Sequence, residues 1–218
     1  EQPGIHQTLH FNTDFTFKKD KSQSYNIGYK TNWVHDSFLI VLKTHFVKNS
    51  KNNSLTKDQG FYHLRLINHW KNNIQQEVFL QNEYDDFMSL SNRIIAGVGY
   101  RFEQDLEYSE ISYSGIGLLT EHVKTTIQNY EVVDRVRINS YLSFMQKFNL
   151  LKVNYALYIQ PAISNFDDIK GLIDLTAHLP ITANIHYRSA LTLKYHSLPY
   201  DTLEPFNIEI KNALEFNF

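Results

Sequence analysis

Apolar and polar residues alternate with a period of two along nearly the whole chain. In residues 151–159, Leu151, Val153, Tyr155, Leu157 and Ile159 fall on one side, and Lys152, Asn154, Ala156 and Tyr158 on the other. The same alternation runs through residues 185–195 and 93–102. A two-residue period is that of a β-strand, whose successive side chains point to opposite faces. About twelve such runs are centred near residues 13, 29, 42, 66, 79, 97, 114, 139, 156, 173, 190 and 212. No stretch carries three turns of helical periodicity, so the pattern predicts an all-β chain of antiparallel hairpins.

The apolar side of each run is free of charge across roughly 9 residues, the length a tilted strand needs to cross hydrocarbon. Leu9, Phe11, Phe15 and Phe17 form one such series, and Tyr25, Ile27, Tyr29 and Trp33 another. The facing series holds the charges: Asp14, Lys30, Lys43, Arg65, Glu77, Glu83, Arg93, Arg101, Arg135, Arg137, Lys152, Asp174, Arg188, Lys194, Glu209 and Glu215. The expectation is a single domain over residues 1–218, a transmembrane antiparallel up-and-down β-barrel of about twelve strands, apolar side outward. A soluble lipocalin-like barrel or a β-sandwich also alternates. A soluble barrel would have to hide the apolar faces of all the strands in a very large dry cavity. Two stacked sheets could hide them, but charge on the other face and uneven connections fit lipid better.

Those connections are predicted to alternate in length. Short links at 35–37, 71–73, 103–106, 146–149 and 179–182 are expected at the periplasm, and longer ones, including 48–58, 121–134 and 197–205, at the exterior. Trp33 and Trp70 fall at strand ends beside short turns, where an interfacial aromatic girdle belongs. The chain closes on "FNIEIKNALEFNF", whose alternation runs to Phe218. A last strand that must pair with the first accounts for that ending.

Composition changes the picture little. The chain has 218 residues, no cysteine, a formal net charge of -2, 15 Phe and 14 Tyr. Thiolate metal sites and disulfides are therefore excluded, and the charge gives no electrostatic case for nucleic acid. The mean hydropathy of -0.39 would ordinarily be read as soluble, but in a strand barrel only every second residue meets lipid. "EQPGIHQTLH" at the start lacks a basic segment followed by an apolar core, as expected of an exported chain whose signal peptide has been removed.

Candidate chemistry is sparse. No G-x-S-x-G is present, and Ser114 in "YSGIG" sits among glycines that suit a thinned strand. Asp85 and Asp86 read as solvated turn formers rather than a catalytic pair. His10, His45, His63, His69, His178, His186 and His196 fall on the charged side without a spacing that builds a metal site, and no cofactor is implied. The arginines Arg65, Arg93, Arg101, Arg135, Arg137 and Arg188 offer two readings. Unpaired, they would line an anion-selective pore; paired with Glu77, Glu83, Asp174 and Glu209, they would fill the interior. The paired arrangement is the favoured expectation.

Residues 92–122, "NRIIAGVGYRFEQDLEYSEISYSGIGLLTEH", resemble the bacterial YdiY-like family of salt-induced outer-membrane proteins, barrels of unknown function. The likeness rests on Gly97, Gly99, Tyr100 and Arg101, the acidic turn with Glu103 and Asp105, and the following Gly115, Gly117 and Glu121. After residue 135 only strand pattern continues. The resemblance implies the outer membrane as location and lipids as surroundings, and carries no catalytic residues. Phe216 and Phe218 look like the terminal aromatic signal of outer-membrane proteins, which implies reading by the barrel-assembly machinery. Three classes of function follow: a non-enzymatic structural or accessory envelope protein with protein partners in that membrane, a narrow channel for small anionic solutes, and, well behind, a lipase or protease.

Overall fold

A computed structural model describes residues 3–17, 21–52, 54–71, 73–85, 90–105, 109–125, 132–182, 185–199 and 204–216. Twelve strands are present among them: β1 Gly4–Phe17, β2 Lys21–Val34, β3 Phe38–Lys51, β4 Ser54–Lys71, β5 Ile74–Asp85, β6 Leu90–Gln104, β7 Ile111–Thr125, β8 Val132–Phe148, β9 Leu151–Ala162, β10 Asn165–Pro180, β11 Ile185–His196 and β12 Phe206–Phe216. Each of the twelve alternating runs became one of these strands. They form one up-and-down antiparallel sheet in the order β1 to β12. Among the described residues the ladder is open: β1 and β12 are its ends and do not pair. No described helix is long and apolar enough to cross a membrane, which says nothing of a crossing by strands.

Contacts divide the chain into two compact units, one of Glu1–Trp70, Gln76–Val98 and Leu119–Arg135, the other of Lys71–Gln75, Gly99–Leu118 and Val136–Phe218. In the first, β2, β3 and β4 set Trp33 opposite Ile40 and Ile27 opposite Phe46, and Ile40 opposite Leu66 and Leu42 opposite Leu64. Tyr62, Leu64, Leu66, Val78, Leu80 and Val98 are exposed, while Asn32, His63 and Glu77 on the other side are buried. A small apolar cluster of Phe79, Ile95 and Leu119 lies among the buried polar groups. In the second unit Ile116, Leu118, Ile159, Ile208 and Ile210 are exposed, and Arg137, Asn139 and Asp168 are buried. Both units therefore hide polar groups and present apolar ones.

Glycine shapes the enclosed side where a ring must cross the backbone. The Phe79 ring lies where a Cβ on Gly97 would stand, and the Tyr141 ring does the same at Gly115.

Two expected loops, 48–58 and 121–134, are largely strand where the structure describes them, and residues 126–131 of the second lie outside the described residues. Residues 48–51 end β3 and residues 54–58 begin β4, with Asn52 following β3. Asn52 adopts φ 52°, a left-handed conformation that asparagine tolerates and tight hairpins require. The turn-rich composition of "KNSKNNSLTKD" reflects strands continuing as polar tips, with Lys48 opposite Asp58. Likewise β7 continues through Glu121 to Thr125, because Glu121 and Val123 are buried like the residues before them. The connection at 197–205 lies between β11 and β12 as expected. At the other end β8 and β9 meet at Asn149, φ 55°, and Leu150.

Gly97→Ala is expected to lower stability by about 1–3 kcal/mol by overpacking against Phe79, and Gly97→Ala with Phe79→Leu to recover part of the loss. Urea unfolding in detergent measures both; an unchanged midpoint for Gly97→Ala would contradict the close approach.

Candidate functional site

The polar side of each unit carries an ionic cluster built across neighbouring strands. In the first unit Arg93 of β6 stands between two acids. Its Nη1 donates to Glu83 Oε1 on β5 at 2.6 Å, and its Nε and Nη2 reach Glu121 Oε2 on β7 at 2.9 and 2.8 Å. Glu121 is fully buried, so the guanidinium is the counter-charge that makes its burial tolerable. The network continues sideways. Gln81 Nε2 donates to Glu83 Oε2 at 3.2 Å, and Gln81 Oε1 pairs with His63 Nδ1 at 3.1 Å. His63 is stacked with Phe61 and Phe79 at centroid distances of 6.0 and 6.1 Å. Arg65 Nη1 lies 3.5 Å from Glu77 Oε2, with its guanidinium carbon 5.5 Å from the Phe79 ring centroid.

The second unit centres on Arg137 of β8, which has no exposed surface. Its Nη2 donates to both carboxylate oxygens of Asp168, at 3.0 and 2.9 Å. Its Nη1 donates to the carbonyls of Gln160 and Asp168, each at 3.0 Å. Asp168 Oδ1 also contacts His196 Nε2 at 3.0 Å. An irregularity in β10 makes this possible: the strand advances from Asn165 to Ile169 while β9 advances only from Ala162 to Pro161, leaving Phe166, Asp167 and Asp168 out of that ladder. Released from pairing with β9, the Asp168 carbonyl and carboxylate both reach one guanidinium. Ser197 secures the excursion, its hydroxyl donating to the Asp167 carbonyl and accepting from the Ile169 amide at 2.5 and 2.7 Å. Among the described residues Arg101 makes no such bridge; its guanidinium carbon lies 3.4 Å from the Tyr113 ring centroid, a cation–π contact.

The other predicted residues take lesser places. Asp174 Oδ1 accepts from Thr192 Oγ1 at 3.5 Å, Glu209 pairs with Lys211 at 3.1 Å, and Arg135 and Arg188 have interactions of their own. Trp33 is 50% exposed at the end of β2 and packs edge-on against Phe38 at 5.4 Å. Trp70 is the penultimate residue of β4 and Phe216 the last of β12; their side chains, and the whole of Phe218, lie outside the described ones. Asp85 ends β5, and Asp86 falls outside the described residues. Ser114 Oγ accepts from Gln104 Nε2 at 3.0 Å. Among the described residues no group of three or more His, Asp or Glu could hold a metal ion.

The comparison with protein families supplies the remaining fact. The model of the family described as "Protein of unknown function, DUF481" matches residues 19–218. The chain belongs to this family. The match extends the YdiY-like resemblance past residue 135 and includes every strand that builds the two clusters of this DUF481 protein. No curated protein and no solved structure matches the chain.

Three participants were not assigned to the ionic clusters from sequence, although Glu121 is part of the family motif. Glu121 continues the face of Gly115, Gly117 and Leu119, so following that parity would have found it. Asp168 shares the parity of Lys170 and Asp174, so carrying that face back to the start of β10 would have found it. Tyr113 shares the face of Arg101 across the β6–β7 hairpin but reads as an ordinary strand aromatic.

Arg137→Ala is expected to cost about 3–5 kcal/mol, since it strands the buried Asp168 carboxylate. Glu209→Gln, at a partly exposed pair, should cost about 1 kcal/mol or less. Chemical unfolding of both variants under one condition tests the contrast, which equal losses would remove.

Proposed function

We propose that this protein is an integral outer-membrane β-barrel, closed by pairing of β12 with β1. We assign it a non-enzymatic role as a structural or accessory envelope protein whose interior is filled by its ionic clusters. The observation that carries the reading is the inverted burial. Val78 and Leu80 are each 52% exposed, whereas Glu77, next to Val78 in sequence, is 2% exposed. In water each large apolar side chain left exposed forgoes up to roughly 1.5–3 kcal/mol of burial. An enclosed ion costs several kcal/mol before pairing. A chain that does both repeatedly suits a surrounding solvent that is itself apolar.

Closure follows from the same solvent. Unpaired edges of β1 and β12 would leave backbone donors and acceptors in hydrocarbon, at several kcal/mol each, and joining them removes both edges. Support for the outer membrane in particular comes from the strand architecture and from the resemblance of residues 92–122 to outer-membrane barrels. The filled interior rests on Arg93 and Arg137, whose charges are engaged by carboxylates, leaving little field to draw a solute. The reading as an accessory protein takes the exposed apolar wall as the surface that lipids and membrane partners would share.

The protein should need detergent to stay monodisperse. Spin labels at Leu64 and Val98 should be accessible to oxygen and shielded from a water-soluble nickel chelate; a monodisperse detergent-free preparation or nickel-accessible labels would refute the membrane reading. In planar bilayers the wild type should give no stepwise conductance, and Arg93→Ala combined with Glu83→Ala and Glu121→Ala should create it. Steady wild-type conductance would favour the channel instead.

A further inference from the structure

The first unit contains a groove of about 320 Å³ that takes no part in the ionic cluster. Tyr25, Ile27 and Phe46 form its walls, and Lys48, Asp58 and Tyr84 its rim. Strand register assembles it. Ile27 stands opposite Phe46 and Tyr25 opposite Lys48, then Phe46 opposite Gly60 and Lys48 opposite Asp58. Gly60 lets the Tyr84 ring lie across the backbone where a Cβ would otherwise stand. The Tyr84 hydroxyl then donates to Asp58 Oδ1 at 3.2 Å.

The groove opens on the uncharged side. Tyr25 and Ile27 are exposed on the face that also presents Trp33, and Phe46 meets the exposed Tyr62 ring edge-on at 5.1 Å. It lies where that face stops being apolar, one row of side chains before Lys48 and Asp58, at the end of β2 away from Trp33. The adjoining strand ends are rich in lysine: Lys21 begins β2, Lys51 ends β3 and Lys57 lies near the start of β4. Four lysines, counting Lys48, thus stand at these strand ends, against Asp58 and the Asp85 that ends β5. Lys48 is 65% exposed and only 3.9 Å from Asp58, a loose pair that leaves the ammonium with donors to offer.

We propose that this groove binds a phosphate-bearing lipid, one acyl chain lying against Ile27 and Phe46 and the phosphate meeting Lys48. The proposal rests on the membrane reading above and adds a specific site to it. Methylene groups match the walls, the excess positive charge matches the phosphate, and Tyr25 and Tyr84 offer the amphipathic rings favoured at an interface. The other exposed positions of the unit, such as Leu80 and Val98, lack an adjoining lysine-rich edge.

The full chain can be reconstituted in phosphatidylcholine vesicles carrying a minor fraction of phosphatidic acid with a photoreactive acyl chain. Labelled peptides are then mapped by mass spectrometry. Labelling should concentrate on the segments holding Ile27 and Phe46 relative to those holding Leu80 and Val98. Lys48→Gln should reduce that enrichment roughly threefold, the scale of one exposed charge contact, and Phe46→Ala should reduce it independently. A photoreactive diacylglycerol should show no such enrichment, and added inorganic phosphate should not displace the lipid. Uniform labelling in vesicles that carry the protein, equal labelling by diacylglycerol, or displacement by inorganic phosphate would each overturn the groove while leaving the membrane reading intact. A chain that fails to float with the vesicles would overturn both.

Discussion

Guanidinium groups clamped by carboxylates across neighbouring strands are what allow one whole side of this sheet to be charged and enclosed at once. Arg93 joins acids from β5 and β7, and Arg137 ties β8 to the interrupted start of β10. Each clamp spans strands that the backbone ladder joins only edge to edge, so it adds side-chain coupling to the hydrogen-bonded frame. Arginine suits the task because its planar, always charged fork can meet two acceptors from a fixed position. Without such pairing the ionised side would demand water, and the distribution of burial described here would not persist.

The strands were legible because period two is a local signal, and every run of it became a strand. Connections were less legible, since turn-rich composition cannot separate a flexible loop from a polar strand tip. The segment around Asn52 is the clearest example: Lys48 and Asp58 read as loop residues until their register across β3 and β4 is known. At the site, parity alone puts Arg93 and Glu83 on one face. It does not say that Glu121 completes the clamp, because that depends on how β6 and β7 are staggered. Asp168 shares the parity of Lys170 and Asp174, but its pairing with Arg137 depends on an excursion in register that alternation does not reveal. The open ends of the ladder at β1 and β12 were not legible either, since alternation does not specify pairing between the two most distant strands.

The same alternation gives two faces of opposite character, but their uses differ in kind. On the ionic face carboxylates engage the guanidinium at both arginine centres. On the apolar face Gly60 admits the Tyr84 ring beside strand ends that carry lysines.

The excursion at Phe166 to Asp168 has a further consequence. Three residues is an odd number, so β10 leaves it with its two sides exchanged relative to an uninterrupted hairpin: Asn165 faces Ala162, yet Lys170 faces Gln160. Trimming a single residue there would undo the exchange for everything downstream, turning a row of leucines and isoleucines inward and a row holding Lys170, Asp174 and His178 outward. A small deletion in this corner would thus rewrite the character of an entire strand, making the length of the excursion a constraint as strict as the identity of any residue within it.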